Sequence, residues 1–259
     1  MLNNLHTDFQ TDIDYLKGQF TSEQLEKPID VMAVDGDIIA YKTAAVCEQH
    51  FEGACDAIID TTLREIATNT GVSLMRIYLS GDGNFRKQVG VTKLYKGNRA
   101  TMVHPQFLDH CKEYLETKYK AVRVHGYEAD DGIATDMTVN GAIHCGIDKD
   151  ILQVPGRHYN YIKKEWQTVD EEQAIITLHR QILMGDVSDN VPGLPGVGEK
   201  KAEGCITDAT MARDQAIEMY HMVVPAKRDI LGEIDPMTYF EEQSALITMV
   251  SSVDLDFTN

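Results

Sequence analysis

The sequence predicts an α/β protein: a central, mostly parallel sheet flanked by helices, with a C-terminal helix-hairpin-helix region. Short apolar runs alternate with stretches of helical spacing as far as residue 147, the order that builds a parallel sheet through helical crossovers. These runs end in short knots of acidic residues. After Asp150 the pattern changes to a hairpin-like stretch and then to helices around a glycine-proline turn.

The elements follow in order. Ile29 to Val34 is short, mostly apolar and bounded by Pro28 and Asp35, as a buried strand is. Leu74–Leu79, Ala121–His125 and Ala142–Ile147 read the same way. Between them, Ile59, Leu63, Ile66 and Ala67 share a helical face that Gly71 ends. Phe107, Cys111, Tyr114 and Leu115 mark a second helix, and Ile133, Ala134 and Met137 a third. Tyr159 to Val169 resembles a hairpin. Glu171 to Met184 reads as a helix with Ala174, Ile175, Leu178, Ile182 and Leu183 inward, stopped by Gly185. The turn Pro192–Gly198 then feeds a helix through Glu199-Lys200-Lys201-Ala202. We divide the chain into an α/β domain over residues 1–170 and a helical region over 171–259.

The 259 residues are 43% hydrophobic and 25% charged, an ordinary globular balance. No apolar run is long enough to span a bilayer. Met1 to Phe20 lacks the basic start and apolar core of a secretion signal, so a cytoplasmic protein is expected. Cys47, Cys55, Cys111, Cys145 and Cys205 are scattered without a CxxC pair and read as reduced thiols. His144 reads as a structural histidine. The net charge of −17 weighs against a polyanionic partner, but Arg86, Lys87, Lys93, Lys96 and Arg99 crowd one segment.

The acidic knots are Asp35 and Asp37, Asp82, Glu128-Ala129-Asp130-Asp131, Asp148 and Asp150, and Asp186 and Asp189. In open α/β sheets, ligands gather beyond the carboxyl ends of strands, where Asp35, Asp82, Glu128 and Asp148 fall. Each knot alone has a plain reading as a helix cap or a solvated surface. Five together point to one site. Two unit charges about 4 Å apart repel by roughly 4 kcal/mol at an effective dielectric near 20, so packed carboxylates take up protons or hold cations. Hard oxygen donors select magnesium, calcium or manganese. Two such ions can activate water and clamp a phosphodiester, which needs no serine, cysteine or histidine nucleophile. Gly196 and Gly198, ahead of Lys200 and Lys201, leave backbone N–H groups open to a phosphate without reading sequence. Tyr95 beside Lys96 and Arg99 reads, on composition alone, as a solvated loop.

The ordered blocks VDGD, SGDGNFR, YKGNR, YEADD, DKD and GDVSDNVPGLPGVGEKKA, from Val31 to Ala202, resemble the flap-endonuclease superfamily of 5′ nucleases. The pattern is most like the small free-standing bacteriophage 5′-3′ exonucleases. The resemblance implies a PIN-like 5′ nuclease fold, with residues 1–170 as its catalytic domain, a short arch over about 83–120 and the helical region 171–259 completing the metal site, and a structure-specific, Mg2+-dependent nuclease, with Mn2+ able to substitute. It implies 5′-3′ exonuclease, flap endonuclease and RNA-primer-removing activity in phage DNA replication or recombination. By motif, Asp35, Asp82, Glu128, Asp130 and Asp131 match the ligands of a first ion, and Asp148, Asp150, Asp186 and Asp189 those of a second. Lys96 matches the catalytic lysine, Arg99 and Arg86 phosphate-steering arginines, and Tyr95 a base-stacking residue. Residues 192–202 match a DNA clamp that also holds K+ in relatives. Asp37 stands where the family carries an uncharged residue and is left out of the ligand set. The implied partners are duplex DNA with a 5′ end, flap or RNA primer, and replication proteins. No membrane partner is implied, and the chain is expected to be a monomer in the cytoplasm, of the host if phage-encoded. Two other readings compete: a haloacid-dehalogenase-like phosphatase with Asp35 as nucleophile and Asp37 as general acid, and a non-catalytic DNA-binding protein.

Overall fold

In the computed structural model, residues 30–48 and 51–255 are described, so the reading of Met1–Phe20 and the first predicted strand residue, Ile29, lie outside them. The chain divides at Asp30 into two units, and every element below belongs to the second, Val31–Asn259.

Six strands form one sheet in the order β3-β2-β1-β4-β5-β6. They are β1 (Val31–Asp35), β2 (Leu74–Ser80), β3 (Val122–Val124), β4 (Ile143–Gly146), β5 (Gly156–Asn160) and β6 (Glu165–Val169). All neighbours run parallel except β5 and β6, which pair antiparallel with Tyr159 opposite Trp166. The expected hairpin is therefore present, and its first strand also extends the sheet beside β4.

Helices cover both faces, so β1 and β4 are buried along nearly their whole length rather than alternately. On one face lie α1 (Gly36–Cys47), α2 (Glu52–Thr70) and, after the four-residue α3 (Arg86–Val89), α4 (Leu108–Tyr119). Their core holds Met32, Val34, Ile59, Leu63, Ile66, Leu79, Cys111 and Leu115. Gly71 ends α2 with φ +74°, the left-handed cap its position predicts. On the other face, α5 (Ala129–Asn140) packs Ile133, Ala134 and Met137 against Ala33 and Tyr78. His144 is buried there in contact with His158, 3.1 Å between Nδ1 atoms. Asp136 ties β2 to α5 by accepting from Arg76 and the Tyr78 hydroxyl at 2.7–2.8 Å.

The helices α6 (Glu171–Met184), α7 (Glu199–Cys205), α8 (Ala212–Ala226), α9 (Arg228–Leu231) and α10 (Pro236–Ile247) build a second core. It holds Ile182, Leu183, Leu194, Ala202, Tyr220 and Phe240. Gly185 and Gly193 touch back to back at the foot of α6: a Cβ on either would meet backbone at 2.4 Å. With φ of +70° and +58° they return the chain so that Asp186 pairs with Val191. From Leu246, in the last turn of α10, the chain runs on and back over α5 as a strap: Val250 N–H donates to Asp131 Oδ1 at 2.8 Å and Val253 N–H to Thr135 Oγ1 at 3.1 Å. Among the described residues no helix is long and apolar enough to cross a membrane.

Candidate active site

The site begins with where strands end. Asp35 closes β1 and caps α1, accepting the Ile38 N–H at 3.1 Å. Glu128 precedes α5, whose first turn supplies Asp130 and Asp131, and the Ser80 hydroxyl at the end of β2 accepts the Ala129 N–H at 3.0 Å. Asp148 and Asp150 follow β4, with the Asp150 N–H donating to Asp148 Oδ1 at 2.9 Å. Asp186 turns its own loop by accepting Ser188 N–H at 2.7 Å. The parallel sheet brings these ends to one edge, and the 185–193 turn delivers Asp186 and Asp189 to the same place. Eight of the nine predicted acids (Asp35, Glu128, Asp130, Asp131, Asp148, Asp150, Asp186 and Asp189) line one cavity of about 730 Å³.

Their crowding is visible in their ionisation. Burial, then the charges of Asp37 and Asp148, pushes Asp35 up to about 7. Burial, then Asp35, Asp148 and Glu128, holds Asp130 well above the usual carboxylate range. Burial with Asp148 and Asp186 pushes Asp150 up to about 7. Asp130 thus answers to Asp35 and Glu128, Asp150 to Asp186 and Asp189, and Asp148 raises Asp35, Asp130 and Asp150 alike.

Side-chain cations meet part of this charge. Lys96 Nζ bonds Glu128 and lies 3.4 Å from Asp189; those two charges outweigh burial, which alone would lower it, and hold the lysine above its ordinary range. The Tyr95 hydroxyl has one proton to share between Glu128 Oε2 at 2.7 Å and Asp189 Oδ2 at 2.6 Å. Arg99 Nη2 sits 2.6 Å from Asp189 Oδ1. The whole 95–99 segment is docked on the acid-bearing turn: Lys96 N–H donates to Asp189 O at 2.8 Å, and Asn98 to Val187 O and Ser188 O at 3.1–3.2 Å.

As they stand, no three His, Cys, Asp or Glu among the described residues close into a ready-made metal site. The donor chemistry nonetheless suits hard cations: carboxylate oxygens only, with like charges near enough to raise one another. Asp35 and Asp150 bind a proton more tightly folded, at about 7, than at the ordinary 3.8. The stability this contributes is complete below about pH 4 and lost as pH rises through 7. Without divalent ions, the melting temperature should fall between pH 5 and 8, and Mg2+ at pH 8 should restore it. A flat or rising profile in EDTA contradicts this.

Five expectations change. Asp82 is exposed and stands outside the cavity, because the loop after β2 turns toward Gly126, whose N–H donates to Asp82 O at 2.7 Å. Arg86 is 3% exposed and not free to steer a phosphate: it grips both oxygens of Asp131 at 2.7–2.8 Å and the carbonyls of Leu246 and Thr248. Asp131, 0% exposed, is saturated by Arg86 and by the N–H groups of Glu128 and Val250, which makes it a positioning group rather than an open ligand. Tyr95 is 6% exposed, so its ring is covered rather than open to stack on a base. Gly196, Gly198, Lys200 and Lys201 do not line the cavity, and both lysines are exposed in the first turn of α7. Asp37 lines the cavity but is occupied by Lys112 at 2.7 Å and Ser80 N–H at 2.8 Å. Lys112, His104, Tyr41, Gln153 and Gln181 also line it and went unnoticed, since single polar residues on amphipathic helices or in loops carry no local signal.

No family model matches the chain. It is 27% identical over 201 residues to the 5′-3′ exonuclease of Buchnera aphidicola, covering 68% of this chain and 69% of that protein. It is 33% identical over 138 residues to DNA polymerase I of Pseudomonas aeruginosa, covering 44% of this chain and only 14% of that longer protein. In fold it is similar to T5 5′-exonuclease with bound zinc ions, with a TM-score of 0.56 at 15% identity over 84% of this chain and 86% of that one.

Proposed function

We infer that this protein belongs to the flap-endonuclease superfamily of 5′ nucleases and is a divalent-metal-dependent enzyme that hydrolyses DNA from 5′ ends. The observation that carries the reading is the meeting of eight carboxylates from separate chain segments with Lys96, Arg99 and Tyr95 in one cavity. The phosphatase reading needs Asp37 free as a general acid, and Lys112 occupies it. The DNA-binding-only reading leaves the raised carboxyls without a purpose.

We assign the first ion position to Asp35, Asp130 and Glu128, with Asp131 bracing Glu128 through its backbone. The second falls to Asp148, Asp150, Asp186 and Asp189. Mg2+ is the physiological choice and Mn2+ a substitute. When bound, the ions supply activated water and stabilise the leaving oxygen, so that the product carries a 5′-phosphate. Lys96 and Arg99 then exchange carboxylate partners for the phosphate, while Tyr95, 6% exposed with its hydroxyl shared by Glu128 and Asp189, holds the 95–99 segment in place rather than stacking on a base. Gly196, Gly198, Lys200 and Lys201 hold the duplex by its backbone, with K+ at the hairpin. The substrates in this reading are duplex 5′ ends, flaps and RNA primers. The protein acts as a cytoplasmic monomer alongside replication proteins.

Digestion of 5′-labelled duplex, flap and RNA–DNA hybrid substrates with and without Mg2+ tests this. Metal-dependent release of short 5′-labelled products is expected; metal-independent binding without cutting refutes it. Lys96→Ala should slow the single-turnover step by about 100-fold while leaving DNA affinity within a few-fold. Unchanged single-turnover rates contradict that role.

A further inference from the structure

We propose that Gln181 and Gln153 form an amide relay that aims the Asp150 carboxylate, so that the C-terminal strap at residues 247–249 sets the geometry of one divalent-ion position. The inference rests on the metal-dependent reading above.

Neither glutamine has a motif to mark it. Gln153 ends a short 3-10 turn (Asp150–Gln153), Gln181 lies in the last turn of α6, and both are more than nine-tenths buried. A buried amide costs free energy unless its atoms are paired, and here every amide atom is. The pairing also fixes which way each amide faces. The Met249 N–H can only donate, and it lies 2.8 Å from Gln153 Oε1. Gln153 Nε2 is thereby turned toward Ile247 O at 3.1 Å, Asp150 O at 3.2 Å and Gln181 Oε1 at 3.0 Å. With its oxygen accepting, Gln181 must present Nε2 to Asp150, which it does at 3.0 Å from Oδ1.

The chain of donors thus runs from strap backbone to Gln153, to Gln181, to one oxygen of Asp150. The other carboxylate oxygen is left for a cation. The strap that orients this relay also bonds Asp131 through Val250 and Arg86 through Thr248. Partners of this kind, standing behind a metal ligand, typically change metal affinity by about 10- to 100-fold when removed.

Titration calorimetry of the full chain with Mn2+, without DNA, tests the relay. Wild type is expected to bind two ions. Gln181→Met and Gln153→Met should each weaken one site by about 10- to 100-fold and leave the other unchanged. The double variant should be no weaker than the worse single one, because both act through one carboxylate, and Asp150→Asn should weaken that same site. No described hydrogen bond joins Gln181 to the strap, so Gln181→Met decides the matter even if Gln153→Met fails to fold. An unchanged isotherm, or equal weakening of both sites, overturns the relay alone. Wild-type protein that binds no Mn2+ overturns the metal reading and the relay with it.

Discussion

Alanine at Asp148 is expected to cut Mg2+-dependent hydrolysis by at least about 100-fold while leaving the protein folded. Asp148 is exposed after β4, and its carboxylate accepts one described hydrogen bond, from the Asp150 N–H. Little packing is lost with it. Its charge, however, raises Asp35, Asp130 and Asp150 alike, so it acts on acids of both proposed ion positions. Removing it relieves repulsion when divalent ions are absent and removes a shared donor when they are present. The melting temperature in EDTA should therefore rise or stay level while cleavage of 5′-labelled DNA collapses. Near wild-type cleavage by a folded Asp148→Ala protein would falsify the assignment.

Arg86→Ala should behave in the opposite way, costing about 3–5 kcal/mol of folding stability, read as a lower urea midpoint. The arginine and Asp131 are both buried and joined by two hydrogen bonds, and the guanidinium also caps two strap carbonyls. Deleting one partner strands the other charge in a low-dielectric interior. Burial alone would weaken the arginine's hold on its proton, yet the bonds and charge of Asp131 hold it above its ordinary range. Arg86→Lys should recover only part of the loss, because an ammonium cannot reproduce the planar fork. A stable Arg86→Ala protein that simply binds DNA less tightly would restore the phosphate-steering role expected from its motif.

The contrast between these residues shows what can be read from a sequence. Strand β1 and its Asp35 were legible because an apolar run ending in an acid is a local signal, and the parallel order of strands made the common edge predictable. Helix α1 went unread: Gly36-Asp37 opens it, and its buried residues include Ala40, Thr43 and Ala44, too small to stand out as a stripe. Asp130 and Asp131 are adjacent, chemically identical and both line the cavity, yet one sits among like charges and the other is saturated by an arginine 45 positions away and by the strap.

By itself, the sequence determined the strand and helix alternation, the edge at which the acids gather, and the hard-oxygen character of the donors, since each depends on periodicity and residue type within a few positions. Only the tertiary structure decided which acids stay open, that Asp82 stands apart, that Arg86 turns inward, and that two glutamines stand behind Asp150. Those outcomes depend on which distant groups desolvate a carboxylate and which donors reach it, and no local pattern carries that information.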